Sequence, residues 1–266
     1  MTKANSNTQL IKSAAGNGNI SDDALIAINN VTDLGKVLQN AMGVSIDDVD
    51  ANEVVLVFLL ADDSGSIRMA GNSKTVCDGH NLVIQSLQAT KQKNGILAMT
   101  MYLNETIPLF PWSPIDQAVL MDNSNYNANG GTPLYDKTVE MLALIAAKTE
   151  EFETMSGVPA RSISLIVTDG ADCGSHKQTP KSVAAVVKSM LKQEKHIIAA
   201  MGIDDGGTDF KQVFSEMGIQ DQWILVPGNS QTEIRKAFQM FSQSAVRASQ
   251  SGGNFSQTAA GGFGTP

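Results

Sequence analysis

Residues 54–60 form an unbroken apolar run, Val-Val-Leu-Val-Phe-Leu-Leu, which limits the possible folds more than any other feature of the sequence. A strand with one solvated face alternates apolar and polar residues, whereas a run without alternation is typical of a strand buried on both faces. Three later runs have the same character, at residues 163–167, 197–203 and 223–226. We therefore expect a sheet that is covered on both sides.

Stretches with helical periodicity separate these runs, at residues 133–152, 180–194, 208–217 and 231–247. Residues 96–103 and 106–110 are expected to be two strands joined at Asn104-Glu105, which adds a hairpin at one edge. This alternation predicts an α/β fold: a Rossmann-like, open, mostly parallel sheet with one antiparallel edge strand and helices on both faces. Ligands of such sheets bind at the carboxyl ends of the strands, near a topological switch point.

Composition divides the chain into three zones. Residues 1–52 are a polar, partly helical leader, residues 53–247 carry the α/β pattern, and residues 248–266 are a Gly/Ser/Gln-rich stretch expected to be a flexible tail. The net charge of −8 argues against a nucleic-acid partner, which would need a basic surface. No apolar run approaches the roughly 20 residues of a membrane span. Two cysteines and no visible export signal favour a cytoplasmic location.

Oxygen-bearing side chains gather where the predicted strands end. Asp62, Ser64 and Ser66 follow the first strand at alternate positions, Asp169 follows the run at 163–167, and Thr132 precedes a long helix. Two carboxylates and three hydroxyls, with no thiol or imidazole among them, suit a hard cation and suit zinc poorly. The sequence therefore predicts a Mg²⁺ or Mn²⁺ site formed by these five residues.

Three motifs at these positions occur in a characteristic order: Asp-x-Ser-x-Ser at 62–66, Gly-Gly-Thr-Pro-Leu at 130–134 and Thr-Asp-Gly at 168–170. Together they resemble the von Willebrand factor A (vWA) domain with a complete metal-ion-dependent adhesion site, over about residues 53–247. The resemblance implies that Ser64, Ser66 and Thr132 contact the metal directly, while Asp62 and Asp169 act directly or through water. It also implies that an open coordination position takes an Asp or Glu carboxylate from a partner protein.

Two features depart from the family pattern or stay open. Family members usually follow the last Ser of the first motif with a short Met-Gly step, whereas this chain continues Ile-Arg-Met-Ala-Gly at 67–71, which lengthens the loop. Asp63 adds a carboxylate of open role. Thr132 is also a candidate N-cap for the helix expected to begin at Pro133. Trp112 is either an exposed partner anchor or a buried side chain against the sheet.

The most favoured function is a non-enzymatic, metal-dependent protein-interaction module. By resemblance it is similar to intracellular bacterial members of the family, which act as regulatory or scaffolding subunits with AAA+ ATPases or with kinases and phosphatases. The stretch 130–136 and the Ser/Gln-rich end favour the second group, which includes the tellurite-resistance proteins of a stress response.

Two alternatives belong to other classes. A Mg²⁺-dependent phosphoryl hydrolase also places Asp residues after parallel strands, but position 64 is Ser where a second carboxylate is needed, and no G-x-x-x-x-G-K phosphate loop is present. An exported adhesin would need an export route, which the sequence does not reveal. His80 and His196 are expected to be structural.

Overall fold

Six strands form one sheet in the computed structural model, which describes residues 3–250 and 262–263. The strand order is β3-β2-β1-β4-β5-β6, and every neighbouring pair is parallel except β2 and β3. In chain order the strands are Val54–Ala61 (β1), Ile96–Tyr102 (β2), Phe110–Pro114 (β3), Ala160–Thr168 (β4), His196–Gly202 (β5) and Ile224–Leu225 (β6). The predicted Rossmann-like sheet with one antiparallel edge strand is confirmed.

Nine α-helices accompany the sheet within the described residues. They are Lys3–Gly16 (α1), Asp22–Asn29 (α2), Leu34–Ala41 (α3), Gly65–Met69 (α4), Ser73–Gln88 (α5), Leu134–Glu151 (α6), Pro180–Leu191 (α7), Phe210–Glu216 (α8) and Gln231–Gln250 (α9). Helices α5 and α9 pack together on one face of the sheet, whereas α6 and α7 pack on the other. All eight residues of β1 are buried, as the lack of alternation predicted.

The topology places a switch point between β1 and β4. From β1 the chain crosses to β2 on one side, and it returns through α6 to β4 on the other side of β1. The two strands pair in parallel up to Ala61 opposite Val167, so the residues that follow them emerge side by side. Crevices at such points are where open α/β sheets bind ligands.

The edge hairpin differs from its prediction in one respect. Its second strand was expected at 106–110, but β3 begins at Phe110, where the predicted strand ends, and is antiparallel to β2. Residues 104–107 are exposed, and Pro108 has no N–H to donate to a strand ladder. The connection is therefore a longer loop, and Asn104 within it takes part in the site described below.

The leader contributes to the main core. Helices α1, α2 and α3, which we call the leader helices, lie outside α6 and α7: α1 and α3 contact α6, and α2 contacts α7. Ile11, Ile28 and Leu38 belong to the same buried apolar cluster as the sheet. Ser21 is the N-cap of α2, as its position before Asp22-Asp23 predicted, and its side chain accepts from the N–H of Ala24.

Two buried charged residues of α6 fasten the leader. The carboxylate of Glu150 accepts from the Ser13 hydroxyl at 2.7 Å and from the amides of Asn17 and Asn19 at 2.7 and 3.1 Å. Lys148, which is fully buried, donates to the carbonyl oxygens of Met42 and Val44 at 2.9 and 2.8 Å, and it pairs with Glu151 at 2.7 Å. Lys148 has an opposite charge in Glu151, and the Glu150 carboxylate has three neutral hydrogen-bond donors, so neither buried charge lacks polar partners.

The domain boundaries at 52/53 and 247/248 stay predictions. Residues 248–250 end α9, and Phe263 packs edge-on against Trp223, with ring centroids 5.2 Å apart. The rest of the predicted flexible tail lies outside the described residues. Within the described part of the chain, no helix is both long enough and apolar enough to cross a lipid bilayer.

Candidate metal centre

Asp62 is the first residue after β1, and its side chain is fully buried. Its Oδ1 accepts from the N–H of Ser64 at 2.7 Å, which curls the loop so that the next side chains return toward the strand end. Its Oδ2 accepts from the Thr168 hydroxyl at 2.7 Å. Its backbone carbonyl accepts from the Tyr126 hydroxyl. The carboxylate is therefore held at the switch point by groups from both central strands.

The two serines connect this loop to the end of β4. The hydroxyl oxygens of Ser64 and Ser66 lie 2.9 Å apart, and the Ser66 hydroxyl donates to Oδ1 of Asp169 at 2.6 Å. Ser66 lies in the first turn of the short helix α4, while Ser64 precedes that helix at its N-cap position. Four of the five predicted ligands thus belong to one hydrogen-bonded group.

Thr132 approaches this group from a third loop. Its side chain is buried, and a Cβ built on Gly170 would lie 3.9 Å from its hydroxyl oxygen, next to Asp169. Its backbone pairs with Cys173 in both directions, at 3.0 and 2.8 Å, and Gly130 accepts from the N–H of Gly65 at 2.9 Å. The 130–132 loop is therefore bonded to the loops that follow β1 and β4.

The prediction that Thr132 caps the long helix is wrong. Pro133 occupies the N-cap position of α6 and makes no side-chain cap. The first N–H groups of the helix instead receive acceptors from the loop after β4: Tyr135 donates to Asp172 at 3.1 Å, and Asp136 donates to the Ser175 hydroxyl at 3.0 Å. Because the helix end is satisfied from elsewhere, the Thr132 hydroxyl is left for another partner.

Asp63, whose role the sequence left open, organises the third loop. Its Oδ1 accepts from the backbone N–H and the side-chain amide of Asn104, at 3.0 and 2.7 Å. Asn104 in turn brackets Gly131: its amide donates to the Gly131 carbonyl at 2.8 Å, and its Oδ1 accepts from the Gly131 N–H at 3.0 Å. A Cβ on Gly130 would lie 2.1 Å from the Asn104 side chain, so this close approach requires glycine. Asp63 therefore positions the residues just before Thr132.

The two carboxylates of the predicted ligand set carry unfavourable charge in the absence of a cation. Burial raises the pKa of Asp62, and hydrogen bonds from Thr168 and Ser64 offset this in part. Burial also raises the pKa of Asp169 to about 6, with further contributions from the negative charges of Asp62 and Asp205. Two neighbouring desolvated acids, one of which raises the pKa of the other, are typical of a site that binds a positive charge.

The donor chemistry of this group fits a hard divalent cation. It offers carboxylate and hydroxyl oxygens, which Mg²⁺ and Mn²⁺ prefer, and neither sulfur nor imidazole. Within residues 3–250 and 262–263, no three or more His, Cys, Asp and Glu side chains gather into a metal-binding group. Ser64 and Ser66 supply a close pair of hydroxyl oxygens beside the carboxylates.

Sequence reasoning missed three residues that support the site, namely Thr168, Tyr126 and Asn104. Thr168 had a visible signal, because it stands in the Thr-Asp-Gly motif directly before Asp169. Asn104 was expected only as a turn residue of the edge hairpin. Tyr126 lies in the long connection between β3 and α6, where the sequence has neither helical nor strand periodicity. Their roles depend on contacts between loops that are distant in sequence.

Other candidate residues are structural. Trp112 is fully buried and meets Phe58 edge-on at 5.6 Å, so the exposed-anchor interpretation is wrong. His80 is buried and hydrogen-bonded to Thr100 at 2.9 Å, and burial lowers its pKa to about 4. His196 is buried beside Ser162 at 2.8 Å, and burial lowers its pKa to about 3. Both imidazoles are therefore neutral near pH 7.

Comparison with known proteins concerns the fold alone. No protein-family model matches the chain, and no curated protein matches it. The open form of the pilus adhesin SpaC from Lactobacillus rhamnosus GG is 15% identical, with a TM-score of 0.52, over 74% of this chain and 30% of SpaC. Proximal thread matrix protein 1 from the mussel byssus is 15% identical over 74% of this chain and 47% of that one, with a TM-score of 0.48. The SpRpn10 VWA domain is 12% identical over 69% and 93%, with a TM-score of 0.47.

The match with SpaC covers only part of that protein and concerns the fold. The chain spans about 30% of the length of the SpaC chain, so it corresponds to one part of that adhesin. At 15% identity, the SpaC match supports a shared α/β fold over 74% of this chain. The site itself is described by the contacts of this chain's own residues.

Proposed function

We propose that this chain is a vWA-type, metal-dependent protein-interaction module that is not an enzyme. One observation carries the proposal: Ser64, Ser66 and Asp169 present oxygens 2.9 and 2.6 Å apart at the switch point of the sheet. Asp62 is hydrogen-bonded to the N–H of Ser64 and Thr132 lies next to Gly170, and we propose that these two residues complete the ligand set. The resemblance of the three motifs supports the same interpretation.

We propose Mg²⁺ or Mn²⁺ as the cation, because the predicted ligands are carboxylate and hydroxyl oxygens, which both ions prefer. The hydroxyls of Ser64 and Ser66 are hydrogen-bonded to each other at 2.9 Å, and the Ser66 hydroxyl donates to Asp169. Both hydroxyls would therefore have to turn their oxygens toward the ion when it binds.

The proposed partner group is a carboxylate of another protein, from Asp or Glu. When bound, the cation would supply a Lewis-acidic position that a carboxylate oxygen can occupy. Asp62 and Asp169 would together neutralise the divalent ion, and the hydroxyls of Ser64, Ser66 and Thr132 add no charge, so the loaded site would no longer repel an acidic group. The surrounding residues orient the ligands through the hydrogen bonds of Thr168 and Asn104.

We further propose that the protein serves in the bacterial cytoplasm as a regulatory or scaffolding subunit, with an AAA+ ATPase or with kinases and phosphatases. This part of the proposal rests on the resemblance of the motifs at 62–66, 130–134 and 168–170. The net charge of −8 supports a protein partner rather than a nucleic acid.

Titration calorimetry with MgCl₂ and MnCl₂ tests the metal site. We expect Asp169→Ala and the double variant Ser64→Ala/Ser66→Ala to lose at least about tenfold in affinity, since each removes one or more ligands. Asp78→Asn is the matched control, because Asp78 is exposed on α5 and pairs with Lys74. Unchanged affinity in both site variants would refute the metal site.

Partner binding is tested by affinity capture in Mg²⁺ and in chelator, with wild type and Asp169→Ala compared. Capture that depends on Mg²⁺, is lost in Asp169→Ala and is competed by free glutamate supports the carboxylate bridge. Capture that persists in chelator refutes it. Mg²⁺-dependent turnover of a phosphatase substrate that disappears in Asp62→Asn would favour the hydrolase alternative instead.

A further inference from the structure

A cavity of about 250 Å³ lies between the leader and the main domain, and none of the five predicted metal ligands lines it. On the leader side it is lined by Val31, Asp33, Lys36 and Val37, at the end of α2 and the start of α3. On the other side, the lining comes from the first turns of α6 and from the loop before α7. Its volume is below the range of about 300–1,000 Å³ that is usual for drug-sized ligands.

Two buried oxygens at this cavity lack a hydrogen-bond donor. Glu140 is 8% exposed and Gln178 is 5% exposed, and both line the cavity. Oε2 of Glu140 pairs with Lys137 at 3.0 Å, but its Oε1 has no partner among the described residues. The Gln178 amide donates to the Ala27 carbonyl at 2.8 Å, whereas its Oε1 is also unpaired within the described part of the chain.

Leaving such acceptors unpaired is costly, because each loses its water without gaining a donor. Burial also raises the pKa of Glu140, an effect that the charge of Lys137 offsets only in part. A ligand with a positively charged N–H group would supply the missing hydrogen bonds, and its charge would add to that of Lys137 in balancing Glu140. Since both oxygens are shielded from solvent, a small side-chain rotation must accompany its arrival.

The mouth of the cavity favours a negatively charged group, whereas the buried oxygens of Glu140 and Gln178 favour a positively charged one. Lys36 and Lys177 line it and are exposed, and neither has an ion-pair partner among residues 3–250 and 262–263. Asp136 also lines the cavity, but its carboxylate is already occupied. It accepts from the N–H groups of His176, Lys177 and Gln178 at 2.9, 3.1 and 2.7 Å. Asp33 is the remaining exposed acid of the lining. The mouth therefore favours an anionic group.

The walls between mouth and floor are aliphatic in part. Val31, Val37 and Pro133 supply this apolar part, the neutral polar residues Thr32, Asn40 and Thr106 also line the cavity, and none of the described lining residues is aromatic. A nucleobase is usually recognised by stacking on an aromatic ring, which this cavity does not provide. The combination suits a ligand that has an ammonium group, a short aliphatic body and a carboxylate.

We infer that this cavity binds a small aliphatic zwitterion of the amino-acid class, with its ammonium group at Glu140 and Gln178 and its carboxylate at Lys36 and Lys177. Pro133 directly follows Thr132 in the chain, so the ligand would lie beside a loop of the metal centre. The inference does not depend on a metal, because no predicted metal ligand lines the cavity.

Titration calorimetry with L-leucine and its two halves, isoamylamine and 4-methylpentanoate, tests the inference in the full-length chain with EDTA present. We expect L-leucine to bind at least about tenfold more tightly than either half, because only the zwitterion makes charge-assisted hydrogen bonds at both ends. No binding of L-leucine would overturn the inference and would mean that water alone fills the cavity. Equal binding of one half would overturn the two-ended assignment.

Variants separate the two ends. Glu140→Gln should weaken L-leucine and isoamylamine about tenfold and leave 4-methylpentanoate unchanged, since it removes only the charge at the floor. The double variant Lys36→Ala/Lys177→Ala should weaken L-leucine about three- to tenfold without weakening isoamylamine. Both lysines are exposed, so this variant tests the inference even if Glu140→Gln fails to fold. Lys211→Ala, an exposed lysine of α8 outside the cavity, is the control, and equal effects in it would overturn the assignment.

Discussion

Replacing Asn104 with alanine should weaken metal binding although Asn104 is not a predicted ligand. The Asn104 side chain makes three hydrogen bonds, one to Asp63 and two to the backbone of Gly131. The two bonds to Gly131 fix the residue that directly precedes Thr132. Without them, Gly131 keeps neither of its hydrogen bonds to the loop after β2, and the position of the Thr132 hydroxyl is less well defined.

The expected loss of stability follows from these bonds. Each hydrogen bond contributes about 0.5–1.5 kcal/mol, so three of them contribute about 3 kcal/mol at the middle of that range. The bonds to Gly131 are exposed, which lowers their contribution, and the N–H of Asn104 still donates to Asp63. We therefore expect the free energy of unfolding to fall by about 2 kcal/mol. Groups that orient metal ligands typically change affinity by about 10–100-fold, or about 1.4–2.7 kcal/mol.

Urea unfolding in EDTA measures the first effect, and calorimetric titration with MnCl₂ or MgCl₂ on the folded variant measures the second. Asn127→Ala is the matched control, because Asn127 is an exposed asparagine of the neighbouring loop whose side chain makes no hydrogen bond to the described residues. The control should leave both quantities within about 0.5 kcal/mol of wild type.

Two results would refute the reasoning. If Asn104→Ala lowers stability but leaves metal affinity unchanged, the 130–132 loop does not govern the geometry of the site. If neither quantity changes, the two hydrogen bonds between Asn104 and Gly131 contribute neither to stability nor to metal binding in solution.

Three further outcomes are expected. Gly130→Ala should reproduce the loss of metal affinity, because its Cβ would lie 2.1 Å from the Asn104 side chain. Combining it with Asn104→Ala should add little, since both variants disturb the same contact. Fully additive losses in metal titrations would contradict this. Lys148→Met should cost about 3–5 kcal/mol in urea unfolding, since it leaves two partly buried carbonyls and Glu151 without their donor, whereas exposed Lys188→Met should cost less than about 0.5 kcal/mol. His196→Gln should flatten the acid side of the stability curve. Burial lowers the His196 pKa to about 3, so below the ordinary pKa of 6.5 the unfolded chain takes up a proton at this residue while the folded chain does not. The free energy of unfolding of the wild type therefore falls by about 1.4 kcal/mol per pH unit from pH 6.5 downward because of this residue. An identical pH slope in the variant would disprove this.

The sheet was predictable because its signal is local. An apolar run such as 54–60 can only be buried on both faces, and the alternation of four such runs with helical stretches leaves few topologies. The same logic placed Asp62 and Asp169 at one edge of the sheet, since the residues after neighbouring parallel strands emerge together. That reasoning needed only the order of the elements along the chain.

The details of the loops were not predictable in this way. Thr132 had the usual signature of an N-cap, but Asp172 and Ser175 satisfy the helix end from a loop about 40 residues away. Asn104 had the signature of a tight turn, yet Asp63 and Gly131 draw it into the site. In each case a tertiary hydrogen bond overrides a local preference, and no pattern within a short window records it.

The attachment of the leader has a consequence for the order in which the chain folds. Glu150 bonds Ser13 across 137 residues of sequence, so the leader helices are synthesised long before the helix that receives them. At translation rates of about 5–20 residues per second, this separation corresponds to a wait of about 7–27 s. During that time the apolar faces around Ile11, Ile28 and Leu38 have no core to join. Ribosome-bound chains that stop before residue 151 should therefore recruit chaperones through the leader, and this recruitment should end once α6 has emerged and docked.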